Sequence, residues 1–422
     1  MRDLRQRVIG GLSASWLPLL VLGACAPLAR NQVDVSRPDT GVGVTAKVAA
    51  LPRGSTKLGR VTGDYLRDQG FVKGMVYRVP NGGSVWIVAQ QGVDNLAIRR
   101  AYNLLAFFLR PVDGLELGSP ATKNAVANAM ADNGAMLMMP TGRHREGREP
   151  EVPAQPLFES ENPIDGSRWY LENDWEHRDA AFEEIFHLVH DTGIGTYEPG
   201  ALPAFQADLD REARKAIRDG RWGIPIERDI ADWLEELEEE DSLAQEYIAA
   251  VIDSYYGLWA AFKERAGGMW GIYCAKNRAE IRALDAPGLG LLQRFLPEYM
   301  VGYEALIAPS FQGMFSLQLD PKHAYTLKSQ YLVEATLHGA HASGLIGNDQ
   351  DNILMGNQGD NRLIGGLGTD TVRFSGQQSE YEILMHGDTC TVRDRIAARD
   401  GTDTLQSVEL LRFTDGDVRV HP

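Results

Sequence analysis

A nine-residue period near the C-terminus constrains the fold of this 422-residue chain more than any other feature. Three successive nonapeptides begin at Gly347, Gly356 and Gly365. An aliphatic residue returns at every ninth position, at Leu345, Leu354, Leu363 and Val372. A fixed short period with one large apolar residue per unit, separated by turns rich in Gly, Asn and Asp, is typical of a parallel β-roll or β-helix. We therefore expect the aliphatic residues to pack inward and the turns to face ions.

The turns of this repeat contain the residue types that bind a hard divalent cation. Calcium takes roughly six to eight oxygen ligands, from carboxylates and from backbone or amide carbonyls. Glycine permits the positive-φ turns that aim carbonyls at a shared centre, and we expect such turns at Gly356, Gly359, Gly365, Gly366 and Gly368. The predicted calcium-site residues are Gly347, Asp349, Asp351, Asn352, Gly356, Gly359, Asp360, Asn361, Gly365, Gly366, Gly368 and Asp370.

These units resemble the hemolysin-type (RTX) calcium-binding repeat family, whose nonapeptide is Gly-Gly-x-Gly-x-Asp-x-(large apolar)-x. The resemblance implies that the sixth-position Asp is a calcium ligand and that each coil holds two nonapeptides, so that the turns 347–352 and 365–370 form one complete site. Asp370 matches the sixth-position Asp, whereas Asn352 and Asn361 offer a neutral oxygen, which favours weak binding. The alternative is a Gly- and Asn-rich solenoid edge that binds no ion.

The residues after the repeat support the same family. Residues 397–417 resemble the tail that closes the β-roll of serralysin-type secreted proteins. Alternating apolar and polar residues at 381–384 and 389–392 predict two short strands joined by a turn at 386–388. We expect the calcium-binding β-roll to span 340–376 and a β cap to span 377–422, where it covers the open end of the solenoid.

The first 25 residues have the pattern of an export signal. Arg2, Arg5 and Arg7 precede an apolar run from Val8 to Ala24 that is too short for an ordinary membrane-spanning helix. The tetrapeptide that ends at Cys25, Leu-Gly-Ala-Cys, resembles the bacterial lipobox, in which the signal is cleaved before the Cys and its thiol is lipidated. This implies an exported lipoprotein of the cell envelope, at the outer membrane or cell surface, anchored to the membrane through Cys25. An extracellular protein with an ordinary secretory signal is the alternative.

Composition bounds the remainder of the chain. The formal net charge of -16 argues against nucleic acid as a partner. After Cys25 only Cys274 and Cys390 remain, too few for a disulfide framework. Residues 26–60, rich in Pro and Gly, are predicted to be a flexible tether.

Residues 61–332 are predicted to form a mainly helical α+β body, which makes the whole chain α+β. A hairpin is indicated around Asn81-Gly82-Gly83, between strands at 73–80 and 84–89. Apolar periodicity predicts helices over 96–109, 123–131, 204–219, 228–240, 242–264 and 276–284, with a strand at 135–139.

One predicted helix of the body carries candidate metal ligands. Helical spacing puts Glu184, His187 and Asp191 on the face opposite Phe182, Ile185, Phe186 and Val189, with Glu183 and His190 at the boundary. Glu184 and His187 could bind one metal, with Asp191 orienting the imidazole and Glu246 as a further ligand. Zinc is the first candidate for an exported protein, although no His-Glu-x-x-His motif occurs. An amphipathic helix whose histidines make ordinary hydrogen bonds is the alternative.

Two function classes remain open. In the first, the protein is a calcium-stabilised binding or structural module whose protein or polysaccharide partner the sequence does not identify. In the second, the body is a metal-dependent hydrolase, peptidase-like, with its site on the helix around Glu184–Asp191, and the β-roll assists folding or attachment.

Overall fold

The computed structural model describes residues 59–60, 63–144, 150, 152–196, 199–227 and 229–420. Over these residues the chain is a mixed α/β protein with eleven α-helices and three mixed sheets. The predicted signal peptide with Cys25, and the predicted tether except for its last two residues, lie outside the described part. Within that part, no helix is both long enough and apolar enough to span a membrane.

The first sheet belongs to the body and has the strand order β1-β2-β3-β4-β5. β2 and β3 form the antiparallel hairpin that the turn at 81–83 predicted, and β4 confirms the strand expected at 135–139. β3, β4 and β5 run parallel to one another. The strands are β1 (Gly59–Arg60), β2 (Phe71–Arg78), β3 (Ser84–Gln90), β4 (Met136–Met139) and β5 (Gln155–Pro156).

Helices make up most of the rest of the body, as predicted. They are α1 (Asp64–Asp68), α2 (Asn95–Leu109), α3 (Pro120–Asp132), α4 (Arg168–Glu172), α5 (Ala181–Val189), α6 (Pro203–Arg218), α7 (Ile230–Glu239), α8 (Leu243–Tyr255), α9 (Arg278–Leu284), α10 (Ala286–Phe295) and α11 (Thr326–Ser329). The helix predicted over 242–264 was wrong in its last part, because α8 ends at Tyr255. Gly257 takes a φ of +76°, and a Cβ there would lie 2.2 Å from the Leu327 carbonyl oxygen.

The C-terminal strands form two six-stranded sheets, with orders β17-β16-β12-β10-β8-β6 and β13-β14-β15-β11-β9-β7. Their bounds are β6 (Met300–Ile307), β7 (Met314–Ser316), β8 (Leu332–Leu337), β9 (Gly344–Ile346), β10 (Ile353–Met355), β11 (Arg362–Ile364), β12 (Thr371–Arg373), β13 (Tyr381–His386), β14 (Thr389–Asp394), β15 (Thr402–Gln406), β16 (Leu410–Phe413) and β17 (Gly416–Arg419). The predicted hairpin after the repeat is confirmed, because β13 and β14 pair antiparallel.

Successive nonapeptides alternate between these two sheets. Leu345 lies opposite Leu363 in one parallel ladder, and Leu354 lies opposite Val372 in the other. All four side chains are fully buried. Burying one such side chain stabilises a fold by about 1.5–3 kcal/mol, so the nine-residue return supplies the core of this region.

The body and the repeat share the same two sheets. β6 and β8 precede the first nonapeptide, yet β8 pairs in parallel with β10. β7 extends the second sheet in the same way by pairing with β9. The first strands of the repeat are therefore paired with strands of the preceding chain.

Candidate metal centres

Helix α5 holds its polar side chains inside the protein, because every residue from Ala181 to Val189 is buried. The predicted apolar face is confirmed: Phe182, Ile185 and Phe186 belong to the main core, and Phe186 contacts Phe108 edge to face at 5.3 Å between ring centroids. The opposite face packs against α8, the helix that carries Glu246. Glu183, Glu184 and His187 are thus enclosed and not solvated.

The imidazole of His187 lies between carboxylates without a hydrogen bond to any of them. Its Nε2 is 3.8 Å from Glu246 Oε1, and its Nδ1 is 3.8 Å from Glu184 Oε2. The residue is 1% exposed, and neither ring nitrogen has a hydrogen-bond partner. Glu183, His187 and Glu246 each present one ligand atom within 4.8 Å of the other two. Buried polar atoms are rarely left without partners, so this arrangement requires an explanation.

Carboxyl groups outnumber cationic groups around this imidazole. Burial lowers the pKa of His187, but Glu246 and Glu184 outweigh this effect and raise it to about 10. Burial raises the pKa of Glu246 to about 8, although His187 opposes the shift. Burial, with Glu184 nearby, raises the pKa of Glu161 to about 7. Arg178 compensates the carboxylate of Glu183 by donating to its Oε2 at 2.6 Å.

The structure gives Asp191 hydrogen-bond partners other than the imidazole. Asp191 lies in a single π-helical turn, His190–Gly195, and accepts hydrogen bonds from Thr196 Oγ1 at 2.6 Å and Gln245 Nε2 at 3.2 Å. Because both nitrogens of His187 lack partners, Asp191 does not orient the ring through a hydrogen bond. Sequence reasoning missed Glu183 as a ligand. Its signal was the i, i+4 spacing to His187, which places both side chains on one helix face.

In the C-terminal region, asparagine pairs fill the first two repeat turns. The Asn352 Oδ1 atom accepts from Asn348 N at 2.7 Å, and its Nδ2 donates to Asn348 Oδ1 at 2.9 Å. Asn357 and Asn361 make the same two contacts at 2.7 and 3.1 Å. The amide groups in these turns are therefore engaged with each other.

The third turn differs, because Gly366 stands where the earlier turns have Asn348 and Asn357. Asp370 Oδ1 accepts from Asn352 N at 2.8 Å, but Oδ2 is buried without a partner. Burial, with Glu409 and Asp351 nearby, raises the pKa of Asp370 to about 7.

Positive φ occurs at Gly366 and Gly368, as predicted, but the prediction for Gly356, Gly359 and Gly365 was wrong. Glycine is needed at those three positions because oxygen atoms of the same or a neighbouring turn lie close to where a Cβ would be. A Cβ would lie 2.5 Å from Asn361 Oδ1 at Gly356, 2.7 Å from the His341 carbonyl oxygen at Gly359 and 2.0 Å from the Ser407 carbonyl oxygen at Gly365.

The other predicted calcium residues lie along the stacked turns. Asp351 Oδ1 accepts from Thr369 N at 2.7 Å, and Asp360 Oδ1 accepts from Thr402 N at 2.9 Å. Asp349 is exposed. A Cβ on Gly347 would lie 2.0 Å from the Gly365 carbonyl oxygen, so the turns 347–352 and 365–370 stack directly.

Two carboxylates of these turns were missed in the sequence. Glu409 Oε2 accepts from Asp370 N at 2.7 Å, and Asp403 Oδ1 accepts from Asn361 N at 2.9 Å. Burial raises the pKa of Asp403 to about 8. The signal for Asp403 was present, because the tetrapeptide Gly-Thr-Asp-Thr at 368–371 recurs at 401–404. β15, which begins at Thr402 inside this tetrapeptide, pairs with β11 as a fourth unit of the repeat would.

Comparisons with known proteins do not identify a family for this chain. No family model and no curated protein matches the chain. Among solved structures, the extracellular lipase LipA from Serratia marcescens aligns over 84% of this chain and 54% of its own, with 8% identity and a TM-score of 0.13. The chain thus spans about half the length of that lipase, and a TM-score this low does not indicate a shared fold.

Proposed function

We propose that residues 340–376 form a calcium-binding parallel β-roll of the RTX type, closed by a β cap over 377–422, and that the protein acts as a calcium-stabilised binding or structural module. The observation that carries this is Asp370 Oδ2, a buried carboxylate oxygen without a partner. It lies in the turn where Gly366 replaces the asparagine of the preceding turns. The parallel ladders with a nine-residue return support the β-roll.

Calcium would supply the partner that no side chain gives to Asp370. Glu409 and Asp351 are close enough to raise the pKa of Asp370, so three carboxylates share this region. A divalent cation offsets their repulsion and accepts carboxylate and carbonyl oxygens as ligands. Because the asparagine pairs close the first two turns, we expect few ions and an affinity on the order of 10⁻⁴ to 10⁻³ M, which suits an extracellular setting.

Asp370→Asn in the full chain tests the calcium site. Asn352 and Asn361 show that asparagine fits at the sixth position, so the variant should fold. Wild-type protein should gain thermal stability in millimolar calcium over chelator, and the variant should lose most of that gain. Asp388→Asn, an equal charge change at an exposed turn, should keep it. A wild-type melting temperature that is identical in chelator and in calcium would overturn the proposal.

The cellular setting that we propose is an exported lipoprotein held to the membrane at Cys25, since Leu-Gly-Ala-Cys lies directly at the end of the apolar run. Mass spectrometry of the mature protein should find a lipidated N-terminus at residue 25. A different N-terminus, or equal membrane retention of Cys25→Ser, would contradict this.

A metal-dependent hydrolase is the second candidate, favoured by the unpartnered imidazole of His187 among carboxylates. The ligands are nearly inaccessible, with Glu183, His187 and Glu246 at most 7% exposed, so a substrate could reach them only if the surrounding structure opened. Casein digestion by the full-length protein, with zinc and with chelator, tests this class. If no zinc-dependent cleavage is observed, the structural function is the remaining candidate.

A further inference from the structure

We propose that Glu183 and His187 of α5, together with Glu246 of α8, hold one divalent transition-metal ion inside the body. This site is separate from the repeat turns and does not depend on the calcium proposal. Three features carry the inference: the spacing of the ligand atoms, the lack of hydrogen bonds to the imidazole and the surplus of buried carboxylates.

The spacing fits a single ion. Zinc binds imidazole nitrogen and carboxylate oxygen at about 2.0–2.2 Å, so two ligand atoms on one ion lie at most about 4 Å apart. His187 Nε2 and Glu246 Oε1 are 3.8 Å apart, and all three ligand atoms fall within 4.8 Å. Small rotations of the glutamate side chains would bring the set into coordination distance.

The imidazole contacts do not match an ordinary ion pair. A protonated histidine that pairs with a carboxylate donates at about 2.7–2.9 Å. The carboxylates of Glu184 and Glu246 lie 3.8 Å from the ring nitrogens instead, and the ring is 1% exposed, so bulk solvent does not compensate it. An ion between Nε2 and Glu246 would fill this gap.

The buried carboxyl groups around His187 also favour a bound cation. Glu161, Glu183, Glu184, Glu246 and Asp253 are all buried and act on one another, whereas Arg178 and His187 are the cationic groups that act on them. Unpaired buried charge is strongly destabilising. Arg178 bonds Glu183 through Oε2, which leaves Oε1 outside that ion pair. As ligands of a divalent ion, Glu183 and Glu246 would be ionised and the metal would neutralise their charge.

Glu184 would have a positioning role. It faces Nδ1 while Glu246 faces Nε2. A metal on Nε2 leaves Nδ1–H directed at Glu184, and such a carboxylate fixes the tautomer and ring orientation. Gln155 Nε2 holds Glu184 in turn, at 2.7 Å. One imidazole and two carboxylates favour zinc, manganese or ferrous iron over magnesium and calcium.

Metal content of the full chain tests the site. Tag-free protein, stripped with chelator and re-equilibrated with one equivalent of zinc, should retain about one zinc per chain after gel filtration. His187→Gln and Glu246→Gln should retain almost none. Glu184→Gln should still bind, but about 10- to 100-fold more weakly. Glu239→Gln, on the exposed side of α7, is the matched control and should behave like wild type.

Cobalt substitution keeps the test decisive if a variant fails to fold. Wild-type protein with one equivalent of cobalt should develop strong visible absorption from a low-coordinate site with a nitrogen ligand, and His187→Gln should remove it. The proposal is overturned if the wild type retains no stoichiometric zinc and shows only the weak cobalt spectrum of hydrated ions. It is also overturned if folded His187→Gln and Glu246→Gln bind zinc as wild type does.

Discussion

Lys328 shows how burial can dominate the pKa of a single side chain. Its side chain is 7% exposed, and its ammonium lies 3.9 Å above the ring of Tyr170. Burial lowers the pKa of Lys328 to about 8, although Asp179 and Asp165 act to raise it. Arg100, the other charged group that faces it, adds to the lowering.

This shift predicts a pH dependence with a definite sign. The pKa of Lys328 is near its usual value of 10.5 in the unfolded chain and about 8 in the folded protein, so the unfolded chain binds more protons between these values. Stability should therefore rise with pH across that window, by about 3 kcal/mol for this group. Lys328→Met should remove the rise. Urea unfolding at pH 7.5 and 10.5 measures it, with exposed Lys322→Met as the control. Equal pH profiles for wild type and Lys328→Met would contradict the prediction.

At the scale of elements, each repeat strand contributes one fully buried aliphatic side chain. Leu363 is fully buried between Leu345 and Leu405, which lie opposite it on the two neighbouring strands. Leu363→Ala should lower the free energy of unfolding by about 2–5 kcal/mol, because it leaves a cavity that the short coil cannot refill. Leu367, in the same nonapeptide, is 73% exposed, and its replacement by Ala should change stability by less than about 0.5 kcal/mol. Equal losses in denaturant unfolding would refute the inward packing.

The sequence was informative wherever the determinant is local. The strands β9 to β12 follow from a nine-residue period, and the hairpin of β2 and β3 follows from Asn81-Gly82-Gly83. Pairing between distant segments was not predictable in this way. β6 and β8 join the sheets of the repeat through contacts that only the tertiary fold creates.

The candidate metal centres show the same difference between local and tertiary determinants. His187 and Glu184 were visible as a pair on one helix, and Glu246 was named from its residue type. The i, i+4 spacing of Glu183 and His187 is a local signal, but the choice of Glu183 over Glu184 as a ligand depends on how α5 and α8 pack. The asparagine pairs could not be predicted from the sequence either, because Asn348 and Asn352 form hydrogen bonds with each other only once the turn has closed.

At the scale of the whole molecule, the body and the repeat should respond to calcium together. β8 pairs with β10, and Arg373 of β12 bonds Glu304 of β6. The sheets therefore continue from the body into the coils that carry Asp370. A ligand that binds the folded state alone stabilises it by about 2.7 kcal/mol at a hundredfold excess over the dissociation constant. Because the two parts share sheets, that stabilisation should extend to the body.

Tryptophan fluorescence can test this coupling, since the sequence has no Trp after Trp270. Fluorescence therefore reports on the body, whereas the proposed calcium ligands lie beyond residue 340. In guanidinium unfolding, the fluorescence midpoint of the full chain should rise with calcium in step with the β-sheet circular dichroism, and Asp370→Asn should abolish both shifts. If calcium moves the circular dichroism transition and leaves the fluorescence transition unchanged, the two parts unfold separately despite their common sheets.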